Sequence, residues 1–240
     1  MSSTIRLYFP DKIQSDLSSH LTREQTHYVK DVMRLKIGDK ISIFNTFGEW
    51  NAFIESYDKN IAKIKIQEKT RNKDNDKNIW LAFSPIKQNS MNFLIQKATE
   101  LGVQKFIPIL AERTIVREIN IERIKKIIVE SSEQSNRISI PEINKPESLK
   151  NFLSIFPKNG FLIFGDINSN KKNLKNIFKK KVDGPVCILI GPEGDFSEKE
   201  RKSIVGLNQT HPISLAKNIL KAETAALSAI SIVNYHLNFS

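Results

Sequence analysis

The chain holds a single cysteine, Cys187, in 240 residues. That excludes an internal disulfide framework and fits a reducing compartment. Its four histidines (His20, His27, His211 and His236) are scattered without metal-ligand spacing, and one cysteine cannot complete a zinc centre, so we expect no metal. Glycine is sparse at nine residues, and neither G-x-G-x-x-G nor G-x-x-x-x-G-K-[ST] occurs, which disfavours the usual dinucleotide fold and the P-loop NTPases. There is no G-x-S-x-G elbow of a hydrolase. No run approaches the ~18 apolar residues of a membrane helix. The start, Met-Ser-Ser-Thr-Ile-Arg-Leu-Tyr-Phe-Pro, lacks the apolar core of a signal peptide. We therefore expect a soluble, cytoplasmic protein with no membrane partner.

Acidic side chains are also short, 26 against 37 basic, for a net charge of +11. Such a surplus points to a polyanionic partner such as nucleic acid. Lysine supplies 28 of the cations and arginine only nine, so part of the surplus reads as a biased composition rather than planar recognition of phosphate or base. What remains is ordinary globular material, 40% hydrophobic and 26% charged, enough for one large domain or two small ones.

Two grammars follow each other. Residues 5–9 form a short apolar strand closed by Pro10, and residues 22–35 carry Tyr28, Val32 and Leu35 at helical spacing. Residues 40–45, 49–54 and 61–66 alternate with period two, as half-buried strands do. These predict a small β-barrel around one helix. Residues 70–78 have no apolar side chain, so we place the boundary there: a barrel over 1–72, a linker over 73–78 and a second domain over 79–240. In the second domain the apolar runs 79–83, 106–110, 161–164 and 186–190 read as buried strands. Helical patterns at 91–101, 121–134 and 149–155 lie between them, which predicts an α/β domain with a mainly parallel sheet. Lys179-Lys180-Lys181 reads as a solvated loop.

The densest signal runs from Val186 through Gly191-Pro192-Glu193-Gly194 to Ser197, where Ser197 and Glu200 have the spacing of a capping box. Ligands of open α/β sheets bind beyond the carboxyl ends of strands, and glycine there admits close backbone approach. Read alone, the segment is equally a tight turn. Farther on, Ala222, Ala225, Ala226, Ala229, Ile230 and Val233 share one face of a C-terminal helix that packs closely in the core or across a dimer.

Four motifs in this order and spacing carry a resemblance: Gln-Lys-x-x-Glu-Leu-Gly-Val at 96–103, Glu-Gln-x-x-Arg at 133–137, Leu-Ile-Gly-Pro-Glu-Gly at 189–194, and Leu-x5-Lys-x-Glu-Thr-x-Ala-Leu-x-Ala-Ile at 215–230. With the N-terminal Arg6-Leu-Tyr-Phe and the His27 to Asp39 segment, the chain resembles, over nearly its whole length, the bacterial 16S rRNA uracil(1498)-N3-methyltransferase family of the SPOUT superfamily. The resemblance implies a PUA-like N-terminal barrel and a trefoil-knotted α/β domain, with S-adenosylmethionine bent within the knot. Its implied partners are 16S rRNA in the small ribosomal subunit and a second copy of the chain, paired through the alanine-rich helix. The cofactor-binding residues it implies are Phe164, Gly165, Ile190, Gly191, Pro192, Gly194, Leu215, Asn218, Ile219, Leu220 and Thr224.

For the reaction, we expect Lys221 or Arg137 to steady the uracil anion and Glu193 or Glu223 to accept the N3 proton, with a glutamate that holds the adenosine or caps a helix as the equal alternative. Arg6, Arg34, Lys87, Arg113, Arg117 and Arg123 are the expected RNA contacts. The chain departs from the family pattern at three positions: Asp195 stands where a second glycine is usual, Asn218 replaces an arginine, and Lys221 replaces another. Alternative readings are a knotted enzyme methylating a ribose 2′-hydroxyl, or an RNA-binding relic without catalysis.

Overall fold

The computed structural model describes residues 5–73, 76–169, 178 and 182–239. The lysine run at 179–181 and residues 74 and 75 of the expected linker lie outside them. Contacts divide the chain into two units, one of residues 1–75 and 132–140, the other of residues 76–131 and 141–240.

In the first unit five strands pair in the order β1-β3-β4-β5-β2. They are β1 (Arg6–Tyr8), β2 (Ser18–His20), β3 (Lys40–Asn45), β4 (Gly48–Asp58) and β5 (Ile61–Asn72). The alternating apolar residues of β3, β4 and β5 give the core: Ile41, Ile43, Ala52, Ile54, Ile64 and Ile66 are all buried. β5 continues into residues 70–72, part of the stretch without apolar side chains, because ladder bonds to Gly48 and Glu49 need only backbone. The helix expected over 22–35 is shorter. α1 (Arg23–His27) is capped by Thr22, whose hydroxyl accepts from the Gln25 N–H. A π turn over Tyr28–Val32 follows, with the Met33 N–H on the Tyr28 carbonyl, and Arg34 ends it at φ 56°. The wider turn shifts the helical phase. Thr26 and Val29 therefore face the core, while Val32, read as apolar-face, is 56% exposed.

Arg6 corrects a second expectation. Its five N–H donors are all engaged inside this unit: Nε and Nη2 hold Glu49 at 3.0 and 3.1 Å, and the rest bond the carbonyls of Ser132, Glu133 and Arg137. The guanidinium also lies 4.3 Å from the centroid of the Phe44 ring and is only 11% exposed. With no donor to spare, Arg6 is a structural residue and not an RNA contact. Glu49 also accepts from Ser42 and Arg71. Burial would raise its pKa, but the hydrogen bonds from Arg6 and Ser42 and the charges of Arg6 and Arg71 outweigh this and hold the carboxyl below its ordinary value.

The second unit is a parallel sheet in the order β12-β10-β11-β6-β7-β8, with β9 also on β7. The apolar runs are β6 (Ile79–Phe83), β7 (Lys105–Leu110), β10 (Phe161–Gly165) and β11 (Val186–Ile190). The short strands β8 (Glu142–Ile143), β9 (Glu147–Ser148) and β12 (Thr210–Ile213) carried no period signal. β12 contains Pro212 and lies at the sheet edge, where a missing N–H costs no ladder bond. Pro108 has a related effect within β7: β8 pairs Lys105–Phe106 and β9 pairs Ile109–Leu110, leaving the proline between them.

The helices are α2 (Gln88–Glu100), α3 (Ile121–Gln134), α4 (Leu149–Ile155), α5 (Glu198–Val205) and α6 (Ala222–Phe239). The Ser197–Glu200 capping box opens α5 as expected. Cys187 is fully buried in β11, and burial pushes its thiol far above the ordinary value, so it is inert. The alanine-rich face of α6 is also buried: Ala226, Ala229, Ile230 and Val233 are inaccessible, and the helix packs on α2, β6, β10 and β11. That face therefore belongs to the core of the unit and is not free to form a dimer interface. No helix among the described residues is long and apolar enough to cross a membrane.

Candidate functional site

Three neighbouring parallel strands, β10, β11 and β12, end on one edge of the sheet, and the loops leaving them line a cavity of about 700 Å3. The first loop gives Gly165, Asp166 and Ile167, and the second gives Ile190 to Glu193 and Asp195. The third gives Ser214 to Lys221 and runs into Ala222, Glu223 and Ala225 of α6. Lys87 and Ser90, at the start of α2, complete the wall. This is where parallel α/β sheets bind ligands, and the volume suits a nucleoside-sized one.

Two glycines set how closely the loops approach. A Cβ on Gly165 would stand 2.8 Å from Ile190 Cδ1 and 3.5 Å from Leu215 Cδ1, so the first loop touches the other two only because this residue has none. A Cβ on Gly191 would meet the Phe196 ring at 2.8 Å. The second loop then turns through Asp195 at φ 60°, the left-handed conformation that a glycine adopts freely. Aspartate tolerates it because its Oδ1 accepts from the Phe196 N–H at 2.8 Å. The change from the family's glycine thus leaves the turn intact. Asp195→Gly is expected to shift stability by less than about 0.5 kcal/mol, because lost strain and the lost hydrogen bond offset each other. Asp195→Ala keeps the strain, loses the bond and costs about 1 kcal/mol, as thermal melts of the two variants will read.

Of the expected catalytic residues, Lys221, Glu223 and Glu193 line the cavity. Lys221 is exposed, and its ammonium makes no ion pair among the described residues. Glu223 is half-buried, and its Oε1 accepts from Ser90 Oγ at 3.3 Å. Glu193 is exposed. Arg137 requires correction: it is 8% exposed within the first unit, where its guanidinium donates to Ser139 Oγ and its carbonyl accepts from Arg6. It lines no part of the cavity.

Gly165, Ile190, Gly191, Pro192, Leu215, Asn218, Ile219 and Leu220 of the expected cofactor set meet at the cavity. Three others do not. Phe164 is a core residue whose ring packs edge-on against Phe196 at 5.6 Å, because strand alternation turns it away from the cavity. Gly194 lies outside the wall, its carbonyl held by Arg113 Nη1 at 2.9 Å, and Thr224 is exposed on the first turn of α6.

Among the expected RNA contacts, Arg34 is exposed on the first unit, and Arg117 and Arg123 are exposed on the second. Arg113 is exposed as well but spends one donor on the Gly194 turn. Lys87 stands at the cavity itself. Sequence reasoning missed Asp166, Ser90 and Arg201. A charged residue one position beyond the glycine that ends the apolar run 161–164 was the available sign for Asp166. Its partner Arg201 lies 35 residues away and gave none.

A family model for an RNA methyltransferase domain matches residues 73–234, and one for an RNA methyltransferase PUA domain matches residues 21–67. The ribosomal RNA small subunit methyltransferase E of Rickettsia conorii is 32% identical over 231 residues, which span 95% of this chain and 94% of the relative. That of Bacillus subtilis is 28% identical over 228 residues, 90% of this chain and 89% of its own. Among solved structures, ribosomal RNA small subunit methyltransferase E from Neisseria gonorrhoeae, bound to S-adenosyl methionine, superposes with a TM-score of 0.89 at 27% identity. The match covers 99% of this chain and 100% of that one.

Proposed function

From the premise that this chain belongs to the RNA methyltransferase family, as a relative of ribosomal RNA small subunit methyltransferase E, we propose that it methylates N3 of one uridine in the 16S rRNA of the small ribosomal subunit, using S-adenosylmethionine. The observation that carries the reading is the cavity built by the three loops beyond β10, β11 and β12. Its residues fit the cofactor. Gly165 and Gly191 leave a cradle that a Cβ would fill, and Ile190, Leu215, Ile219 and Leu220 offer apolar and backbone surface for an adenosine. Glu193, Asp195 and Glu223 suit a cationic ligand. The trefoil threading typical of the superfamily is part of the same reading.

When bound, S-adenosylmethionine supplies an activated methyl group on a sulfonium. The chain's own work is then to place the uracil N3 in line with that methyl and to manage one proton. Glu223, held by Ser90, takes the proton from N3–H; Glu193 has no such support among the described residues. Lys221 steadies the negative charge that builds on the uracil carbonyl oxygens. Its ammonium is a point charge without the planar fork of the family's arginine, and it suffices for a single oxygen. Arg34, Arg113, Arg117 and Arg123 hold the RNA backbone.

The test is incubation of the purified protein and S-adenosylmethionine with small ribosomal subunits from a strain lacking the modification, followed by nuclease digestion and mass spectrometry. A 3-methyluridine near the 3′ end of the rRNA is the expected product. A 2′-O-methyl nucleoside, or no transfer at all, would overturn the reading.

The same reading includes a homodimer, with the site completed by the partner copy. The face of α2 and α6 turned away from the core supports it, since Phe93, Ile232 and Tyr235 are 48%, 38% and 61% exposed. Tyr235→Glu combined with Ile232→Glu is expected to give a folded monomer with methylation reduced at least tenfold, as a charge in an apolar interface disfavours association. Sedimentation velocity and the methylation assay check both effects together.

A further inference from the structure

Asp166 is only 3% exposed, yet it lines the cavity at the carboxyl end of β10 and carries a charge. Its hydrogen bonds reach the first cavity loop itself and the strand and helix that flank the other two. Its N–H donates to the carbonyl of Ile213 at 2.8 Å, immediately before the third loop. Within the first loop, Oδ1 accepts from the Asn168 N–H at 2.9 Å, and the carbonyl accepts from the Ser169 N–H at 3.1 Å. Toward the second loop the carboxylate is gripped by Arg201, with Nε on Oδ1 at 3.3 Å and Nη2 on Oδ2 at 2.8 Å. Arg201 lies one turn into α5, and its own N–H donates to the carbonyl of Ser197, the residue that closes the second loop. The fork is bidentate, so it fixes the planes of both groups as well as their separation.

We propose that Asp166 is a positioning residue for the cofactor, and that its pair with Arg201 sets the spacing of the three loops that hold S-adenosylmethionine. The Asp166 side chain is only 2% exposed and its carboxylate is aimed at Arg201 and the first-loop backbone, so it acts through the loops. The inference rests on the cavity being the cofactor site proposed above. A pair that only stabilised the fold would lower the melting temperature and leave cofactor affinity unchanged in the protein that remains folded.

The test uses the full chain as wild type, Asp166→Asn, Arg201→Gln and Arg201→Lys. Calorimetry gives the Kd for S-adenosylmethionine, and steady-state methylation of small subunits at varied cofactor gives KM and kcat. In Asp166→Asn and Arg201→Gln, Kd and KM are expected to rise about tenfold to a hundredfold, the cost of small misplacements, while kcat falls far less. Arg201→Lys, which keeps the charge and loses the fork, is expected to fall between them and wild type. An unchanged Kd in folded variants overturns the proposal, as does a loss of kcat at constant KM. Should Asp166→Asn not fold, the Arg201 variants decide, since that side chain is partly exposed. A wild type that fails to bind S-adenosylmethionine overturns the cofactor reading and this inference with it. A wild type that binds, beside variants that bind equally well, overturns the inference alone.

Discussion

Arg6→Ala is expected to lower the stability of the N-terminal unit by about 3–5 kcal/mol, the cost of leaving a buried charge without its partner. The substitution strips Glu49, 8% exposed, of its bidentate bonds, and leaves only Ser42 and the half-exposed Arg71 to hold the carboxylate. It also removes one donor from each of three carbonyls, at Ser132, Glu133 and Arg137. The sign of the pH dependence follows from Glu49, whose folded-state pKa is lowered. Its contribution is present above the unfolded carboxyl value of about 4.3 and is lost as pH falls through the lower folded value. The gap between wild type and Arg6→Ala should therefore be widest near neutrality and narrow in acid, where a protonated Glu49 no longer needs a cation. Urea titrations at several pH values, read through Trp50 in a Trp80→Phe background, would follow this unit alone, since Trp50 is buried in its core. An Arg6→Ala midpoint equal to wild type would refute the structural assignment.

The second large effect concerns Lys221. Lys221→Ala is expected to slow methyl transfer about 10²- to 10³-fold, the range seen when one charge-stabilising donor is removed from a reacting oxyanion. The same change should leave the affinity for S-adenosylmethionine within about twofold of wild type, because the Lys221 ammonium, though at the cavity, makes no ion pair among the described residues that would hold the wall in place. Restoring the family's arginine, Lys221→Arg, should retain or raise the rate. Single-turnover methylation beside calorimetric cofactor binding separates these quantities. Equal loss of both would sink the catalytic role.

Much of the cavity was legible because its parts are local. The apolar run 186–190 announced a buried strand, the Gly191-Pro192-Glu193-Gly194 turn followed it, and the Ser197–Glu200 box opened a helix where expected. Each of these depends on neighbours within a few residues. Arg6 and Arg137 were misread for the opposite reason. An arginine in a short N-terminal strand and another after a helix both look solvent-facing. Only the fold reveals that the first donates to the carbonyl of the second across 131 residues. The helix over 22–35 failed on a subtler point, since one extra residue in a π turn moves Val32 off the apolar face, and periodicity assumes a constant pitch. β12 was invisible because Pro212 and its polar neighbours give no strand signal and are accommodated by an edge position, which is itself a product of the tertiary fold.

The inclusion of residues 132–140 in the first unit bears on the order in which the protein is made. An N-terminal domain ordinarily completes itself while the rest of the chain is still being synthesised, at roughly 5–20 residues per second. Here three of the five Arg6 hydrogen bonds go to carbonyls 126 to 131 residues downstream, so the first unit is not complete when its own strands have left the exit tunnel. It must wait, with a charged pair half-solvated, until much of the second unit has emerged. Loop closure over that distance adds to the folding barrier, and it makes the last step of barrel assembly a late event. A fragment ending at residue 78 is therefore an incomplete domain, and expression trials that cut the chain there would yield a barrel lacking its final clasp.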